Sequence, residues 1–183
     1  MRPFRPLESN EEDTSLAFSL IPQGVYPSFS ALEPKKLAEK GIKLVLADLD
    51  NTLVPYKVPV PTPEVVAWKD ALKAEGIELF ILSNSRKPGR AQRFAQAMDV
   101  PFQGHSGKPK KAGYLRAMER MGAKAEESVM IGDQIFTDVW GANNAGIVPM
   151  LILPIRLAGN PGRYIRYAVE TPFRLLGKRR PFV

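Results

Sequence analysis

The 183-residue chain has no cysteine and only one histidine, His105. Without thiols there is no disulfide framework, no thiolate zinc site and no cysteine nucleophile. Long apolar runs are missing too. The longest, Ile147 to Ile155, is broken by Pro149 and Pro154 and falls far short of the ~20 residues that span a bilayer. At the N-terminus, Met1-Arg2-Pro3-Phe4-Arg5-Pro6 leads into Glu8, Glu11, Glu12 and Asp13 with no apolar stretch behind it, so this segment does not read as a secretory signal. A cytoplasmic protein is expected. Residues 1–20 lack core periodicity and read as a flexible segment.

What is present is an ordinary globular mix. Apolar and charged fractions of 44% and 25% fit one domain, which at this size buries about 70% of its unfolded surface. The net charge of +7 is unevenly placed: residues 156–183 carry seven Lys/Arg against one Asp/Glu, whereas residues 1–155 are nearly balanced. The chain therefore divides into the flexible segment 1–20, a catalytic body over 21–155 and a basic, partly helical extension over 156–183.

From Lys43 onward, short apolar runs alternate with amphipathic stretches, the pattern of βα units around a parallel sheet. Strands are predicted over 42–47, 77–82, 100–103, 128–131 and 148–153. Helices are predicted over 63–76, 88–98, 110–121 and 137–144, with Pro63 in a first turn, Gly76 as a C-cap and Thr137 or Asp138 as another cap. The expected fold class is α/β: a doubly wound, Rossmann-like parallel sheet with helices on both faces. Asp48, Ser83 and Asp133 each fall just beyond a strand. In an open parallel sheet those positions line the ligand crevice, so the three should converge.

Asp48 and Asp50 leave an apolar strand two residues apart, where extended backbone points them the same way. Alone, they read equally well as an acidic turn. Gly132-Asp133-Gln134-Ile135-Phe136-Thr137-Asp138 adds two more carboxylates at a second strand end. A cluster of hard oxygen ligands suits Mg²⁺. Phosphoryl transfer to one carboxylate needs a second group to protonate the leaving oxygen, a division of labour that Asp48 and Asp50 supply. Ser83 and the Asn84 amide are placed to hydrogen-bond a phosphate oxygen. Of the cations in Gly107-Lys108-Pro109-Lys110-Lys111, Lys108 is favoured at the phosphoryl group because its proline holds it extended.

Taken in order, Asp48-Leu49-Asp50-Asn51-Thr52, Ser83, Lys108 and Gly132-Asp133 to Asp138 resemble the haloacid dehalogenase-like phosphatase superfamily. The resemblance implies that fold without a cap domain. It makes Asp48 the nucleophile that forms an aspartyl-phosphate and Asp50 the acid and base, with Ser83 and Lys108 on the phosphoryl group. Mg²⁺ would be held by Asp48, the Asp50 carbonyl, Asp133 and Asp138, and Thr52, Asn84 and Lys110 would contact substrate.

Gly41-Ile42-Lys43, Asp48 to Val54, Trp68, Ser83-Asn84, Lys108-Pro109 and Gly132 to Val139 are similar to the YqeG-type subgroup, which includes phosphatidylglycerophosphate phosphatases. The lead His105-Ser106-Gly107 departs from the simpler Ala-x-Lys-Pro-like lead of that subgroup, so Lys110 stands beside Lys108 as a phosphate-contacting candidate. His105 reads as a loop residue.

Asp50 and Asn84 are 34 positions apart, and Asn84 and Lys108 are 24 apart. Neither interval has room for a cap, so the site is open to a large substrate. In the tail, Asn160 is a candidate N-cap, Arg163, Arg166 and Arg174 lie near one helical face, and Ile165, Ala168, Val169 and Leu176 lie near the other. Pro172 is expected to kink or end this helix. Three uses are open. The tail docks on anionic lipid beside a lipid-phosphate substrate. It meets a nucleotide or nucleic-acid end. Or the chain is a non-catalytic phosphate-binding or ribosome-associated module. Packing of the apolar face on the domain is a fourth, purely structural outcome.

Overall fold

Buried, largely apolar strands build the centre of the protein. The structure, a computed structural model, describes residues 19–56, 58–85, 89–156 and 161–183. Its strands are β1 Val25–Tyr26, β2 Leu44–Ala47, β3 Glu78–Leu82, β4 Phe102–Gln103, β5 Ser128–Gly132 and β6 Val148–Ile152. They form one parallel sheet in the order β1-β6-β5-β2-β3-β4. The helices are α1 Pro34–Glu39, α2 Pro63–Ala74, α3 Arg90–Met98, α4 Lys111–Met121, α5 Trp140–Asn144 and α6 Pro161–Gly177.

Helices cover both faces, which is why the strands read as continuous rather than alternating apolar runs. Val45, Ala47, Leu79, Ile81, Val129 and Ile131 pack against Leu37, Val65, Trp68, Leu72, Phe94 and Met98 of α1, α2 and α3. On the opposite face, Leu44, Leu46, Phe80, Leu82 and Met130 meet Tyr114, Ala117, Met118 and Ala142 of α4 and α5. Each fully buried Leu or Ile here contributes about 1.5–3 kcal/mol relative to exposure. From β2 the chain first winds outward through β3 and β4, then returns to the other side of β2 as β5 and β6. That reversal places the topological switch point between β2 and β5.

The expected helices and strands from 42 to 153 are present, with shifts at their ends. Thr62 caps α2 by accepting from the Val65 amide at 3.3 Å. Gly76 lies one position beyond the Glu75 C-cap, with φ of +74°. Two elements carried no sequence signal: the two-residue edge strand β1, and α1.

Three expectations are corrected. The helix expected from Thr137 begins earlier, as a π-helical turn over Ile135–Val139 that passes into α5, and neither Thr137 nor Asp138 is its N-cap. The tail helix neither ends nor divides at Pro172: α6 runs unbroken from Pro161 to Gly177. It is held on both sides of the proline, since Thr171 Oγ1 donates to the Tyr167 carbonyl at 2.8 Å and buried Glu170 pairs with buried Arg174. The faces of α6 are also reversed. Ile165, Val169 and Leu176 are 67%, 54% and 44% exposed, whereas Glu170 and Arg174 are buried against the domain. The Asn160 cap and residues 1–18 of the N-terminal segment lie outside the described residues. Leu20, within the segment expected to be flexible, is buried beside Ile135, Val139 and Leu151.

Candidate active site

Because β5, β2 and β3 are neighbours, Asp133, Asp48 and Ser83 emerge side by side at the carboxyl edge of the sheet. The Asp48 amide extends the ladder by donating to the Ile131 carbonyl at 2.9 Å, and Ser83 does the same to Gln103 at 3.0 Å. After Asp50 the chain turns through Asn51, buried with φ of +68°, a left-handed conformation that asparagine tolerates better than most residues. Thr52 is fully buried and its hydroxyl has no hydrogen-bond partner among the described residues.

Lys108 is the centre of the charge arrangement. Its Nζ lies 2.7 Å from Asp48 Oδ1 and 2.7 Å from Asp138 Oδ1, and donates to the Leu82 carbonyl at 2.9 Å. Burial works against its charge, but Asp138 and Asp48 outweigh that cost and hold the ammonium well above the usual lysine range. Asn84 positions the lysine: its Nδ2 donates to the Lys108 carbonyl at 2.9 Å, and its Oδ1 accepts from the Lys108 amide and from Ser106 Oγ. Both ends of the Asn84 amide are thus engaged by the lysine loop. Ser83 Oγ accepts from the Ser85 amide at 3.1 Å. Lys110 is exposed at the start of α4, with no described contact to this cluster. His105 is an exposed loop residue.

The acidic loop after β5 is shaped by close packing. A Cβ on Gly132 would come within 2.3 Å of the Asp138 carboxylate, so only glycine lets Asp138 fold back over the strand end. Asp138 Oδ2 accepts from the Gln134 amide at 3.1 Å. Its Oδ1 meets Lys108 as an ion pair without a hydrogen-bond direction, leaving a buried oxygen short of a partner. Burial pushes the Asp138 carboxyl up to about 6, against the pull of Lys108. Burial raises Asp133 as well, reinforced by Asp48 and Asp138 and opposed by Arg166.

Lys108 meets two of the three carboxylates, Asp48 and Asp138, and with Asp133 beside them the acidic groups outnumber the one ammonium, a charge balance that favours a cation. Among the described residues no three acidic side chains converge closely enough to cage a metal by themselves. Asp48 nonetheless lies near enough to Asp133 and Asp138 to raise the proton affinity of both, and Mg²⁺, which keeps several waters and takes carboxylates together with substrate phosphate, suits hard oxygen ligands of this kind. The residues present therefore fit this ion.

Two features were not visible in the sequence. Arg90, buried at the start of α3, reaches across to Asp50, with Nη2 at 2.7 Å and Nε at 2.8 Å from the same Oδ1. It also donates to the Val58 carbonyl at 2.7 Å and the Pro55 carbonyl at 3.4 Å, tying down the chain beyond Asp50. Burial raises the Asp50 carboxyl, Arg90 lowers it, Asp48 raises it and Arg163 lowers it, with a net upward shift. The second feature is the anchoring of α6 to the acidic loop. Glu170 Oε1 accepts from the Ile135 and Phe136 amides at 2.9 and 3.3 Å, and Arg174 donates to the Asp133 carbonyl at 3.4 Å. An isolated Arg or Glu on a helix carries no local pattern that names so distant a partner.

Carboxylates gathered around a buried lysine at the switch point of a parallel sheet suit a phosphatase of the haloacid dehalogenase type. Comparison with known proteins agrees, and the chain belongs to the haloacid dehalogenase-like hydrolases. The model of that hydrolase family matches residues 57–146. The chain is similar to the Bacillus subtilis (strain 168) protein named "Probable phosphatase YqeG", 33% identical over 156 residues that cover 85% of this chain and 89% of that one. It is also similar to phosphatidylglycerophosphate phosphatase 1, chloroplastic, of Chlamydomonas reinhardtii, 25% identical over 168 residues, covering 83% of this chain and 62% of that protein. Among solved structures, an uncharacterized protein from Listeria monocytogenes serotype 4b shares the fold with a TM-score of 0.51 at 20% identity, covering 75% of this chain and 99% of that one.

Proposed function

We propose that the protein is a Mg²⁺-dependent phosphomonoester hydrolase acting through an aspartyl-phosphate, with phosphatidylglycerophosphate or a similar anionic lipid phosphate as substrate. The observation that carries the chemistry is the Lys108 ammonium, set between Asp48 and Asp138 beside Asp50. Asp48 attacks phosphorus, the bond to the leaving oxygen breaks, and Asp50 protonates that oxygen. Asp50 then takes a proton from water as the water attacks phosphorus. The bond to Asp48 breaks and inorganic phosphate leaves. Lys108 and Ser83 orient the phosphoryl oxygens, and Thr52 offers its buried hydroxyl. Asp48, the Asp50 carbonyl, Asp133 and Asp138 would hold Mg²⁺, which supplies electrostatic stabilisation of the transferring phosphoryl group.

Three observations support a lipid. Among the described residues only α2 and β3 fill the interval from Asp50 to Asn84, and only α3 and β4 fill that from Asn84 to Lys108, which leaves no room for a cap domain over the crevice. A relative of this chain is named for phosphatidylglycerophosphate. Finally, α6 turns Tyr164, Ile165, Val169, Leu175 and Leu176 outward, next to exposed Lys178, Arg179 and Arg180. A contiguous apolar face with a basic border is the signature of a helix lying in an anionic membrane interface, where each Lys/Arg contributes about 1 kcal/mol. Among the described residues no helix is long and apolar enough to cross a membrane, so this contact is peripheral.

Phosphate release from phosphatidylglycerophosphate, nucleotides, 5′-phosphorylated oligonucleotides and sugar phosphates, with Asp48→Asn as the blank, tests the reading. Loss of at least about a thousandfold in Asp48→Asn is expected. Wild-type turnover in that variant would overturn the mechanism, and preference for nucleotides or oligonucleotides would replace the substrate. Flotation with anionic vesicles tests the membrane contact. Because Glu170 and Arg174 anchor the acidic loop, the clean variant is Ile165→Glu/Val169→Glu rather than truncation of α6. Undiminished flotation of that variant would refute docking through this face.

A further inference from the structure

The positive side chains around the crevice differ in how they are used. Lys108 is committed to Asp48 and Asp138, Arg90 to Asp50, and Arg174 to Glu170. Arg163 and Arg166 form no ion pair among the described residues, although their charges act on Asp50 and Asp133 from further away. They are three positions apart on α6, hence on one face of it, and both are half-buried rather than turned to solvent.

Their placement is specific. The Arg163 guanidinium lies 5.7 Å from the centre of the Tyr56 ring, and the Arg90 guanidinium lies 5.8 Å from the same ring. Tyr56 follows the catalytic loop, and Arg90 is bonded to Asp50, so Arg163 adjoins the acid rather than the nucleophile. Arg166 is one turn further along α6, toward the Asp133 loop that Glu170 and Arg174 bind. Asp50 is the group that protonates the leaving oxygen. Arg163 beside it, with Arg166 one turn further along toward Asp133, therefore faces whatever the leaving alcohol carries.

We propose that Arg163 and Arg166 form a second anion site on the leaving-group side of the crevice, selecting phosphomonoesters whose alcohol bears a further phosphate or phosphodiester. The proposal rests on the roles given above to Asp48 and Asp50 and narrows the substrate class for the same site. Two forked guanidinium groups match the oxygens of a phosphodiester, and neither is held in an ion pair that a substrate would have to break. A lipid headgroup with a bridging phosphodiester has this chemistry, and so does its soluble, deacylated counterpart. In this arrangement α6 does part of the work of the missing cap: its inner face reads the substrate while its outer face meets the surface that holds it.

The test is steady-state kinetics of the Mg²⁺-loaded, full-length enzyme on four substrates: p-nitrophenyl phosphate, glycerol 3-phosphate, glycerophosphoglycerol phosphate and dispersed phosphatidylglycerophosphate. In Arg163→Gln/Arg166→Gln, KM for the two diester-bearing substrates should rise roughly 10- to 100-fold, as expected for losing charge-assisted hydrogen bonds. The kcat/KM for p-nitrophenyl phosphate should change less than about threefold, and Arg163→Lys/Arg166→Lys should recover part of the loss. Glycerophosphoglycerol, which carries the diester alone, should inhibit the wild type competitively and the double variant much more weakly. Lys73→Gln/Arg116→Gln removes the same charge from exposed positions on α2 and α4 and should leave all four substrates unaffected. Equal losses on all four substrates, or no loss on any, would overturn the second site. Selectivity for the soluble diester without turnover of the lipid would uphold the site while overturning the lipid reading. Full activity of Asp48→Asn would overturn the mechanism on which both rest.

Discussion

Asp50 and Arg90 show how one pair sets both geometry and proton affinity. Burial keeps the carboxyl inclined to hold a proton, and the guanidinium limits that inclination while fixing the side chain by two contacts to one oxygen. A general acid must be protonated in the productive free enzyme, so the basic limb of the pH profile of kcat/KM reports it. In Arg90→Gln the lowering influence disappears. That limb should move to higher pH, with kcat reduced roughly 10- to 100-fold through lost positioning; an unmoved limb would show that Arg90 does not act on Asp50. Asp48, Ser83 and Asp133 were legible as candidates because each falls just past an apolar run, so strand phasing brings them to one edge, and Asp50 was legible from its two-residue spacing to Asp48. Arg90 was not, because its partner is 40 positions away and only the crossing of α3 over the β2 loop brings them together.

The acidic loop and α6 behave as one element. Buried Glu170 satisfies two amides at the start of the π-helical turn and neutralises buried Arg174, so removing it leaves a charge and two donors uncompensated. Glu170→Ala should cost roughly 3–5 kcal/mol in chemical denaturation, well above a surface substitution. Gly132→Ala pushes a methyl into the Asp138 carboxylate, and should weaken activation by Mg²⁺, read from the metal concentration at half-maximal rate, more than it lowers stability. The helix periodicity of α6 was readable, but which face it buries was not. Hydrophobic patterning predicts an inward apolar face. Here paired Glu170 and Arg174, with Phe173 packed against the cluster of Leu20, Ile135, Val139 and Leu151, hold the opposite face against the domain. Pro172 was misread for a related reason, since its cost to the helix is outweighed by anchors on either side.

At the scale of the molecule, the carboxylate cluster links metal binding, pH and stability. Asp138 has its folded pKa raised from 3.8 to about 6, so its contribution to stability is present below pH ~4 and is lost as pH rises through about 6. Asp133 is raised in the same direction. Mg²⁺ competes with those protons and reverses the repulsion between the ionised groups. Added Mg²⁺ should therefore raise Tm more at pH 8 than at pH 5, and chelation should remove the gain; equal gains at both pH values would show that the cluster does not hold the ion. The parallel sheet followed from the sequence, because buried strands must be largely apolar, but the strand order that sets its switch point did not. The edge strand β1 did not, because two residues carry no period. That brevity governs how the protein behaves when crowded. The sheet ends on one side at β1 and on the other at β4, each two residues long. Such edges give a neighbouring chain almost no ladder to extend, which closes the usual route to fibrils and strand-swapped dimers. Clustering in concentrated, lipid-free solution would run through the outer side of α6 instead, as association that mild detergent disperses.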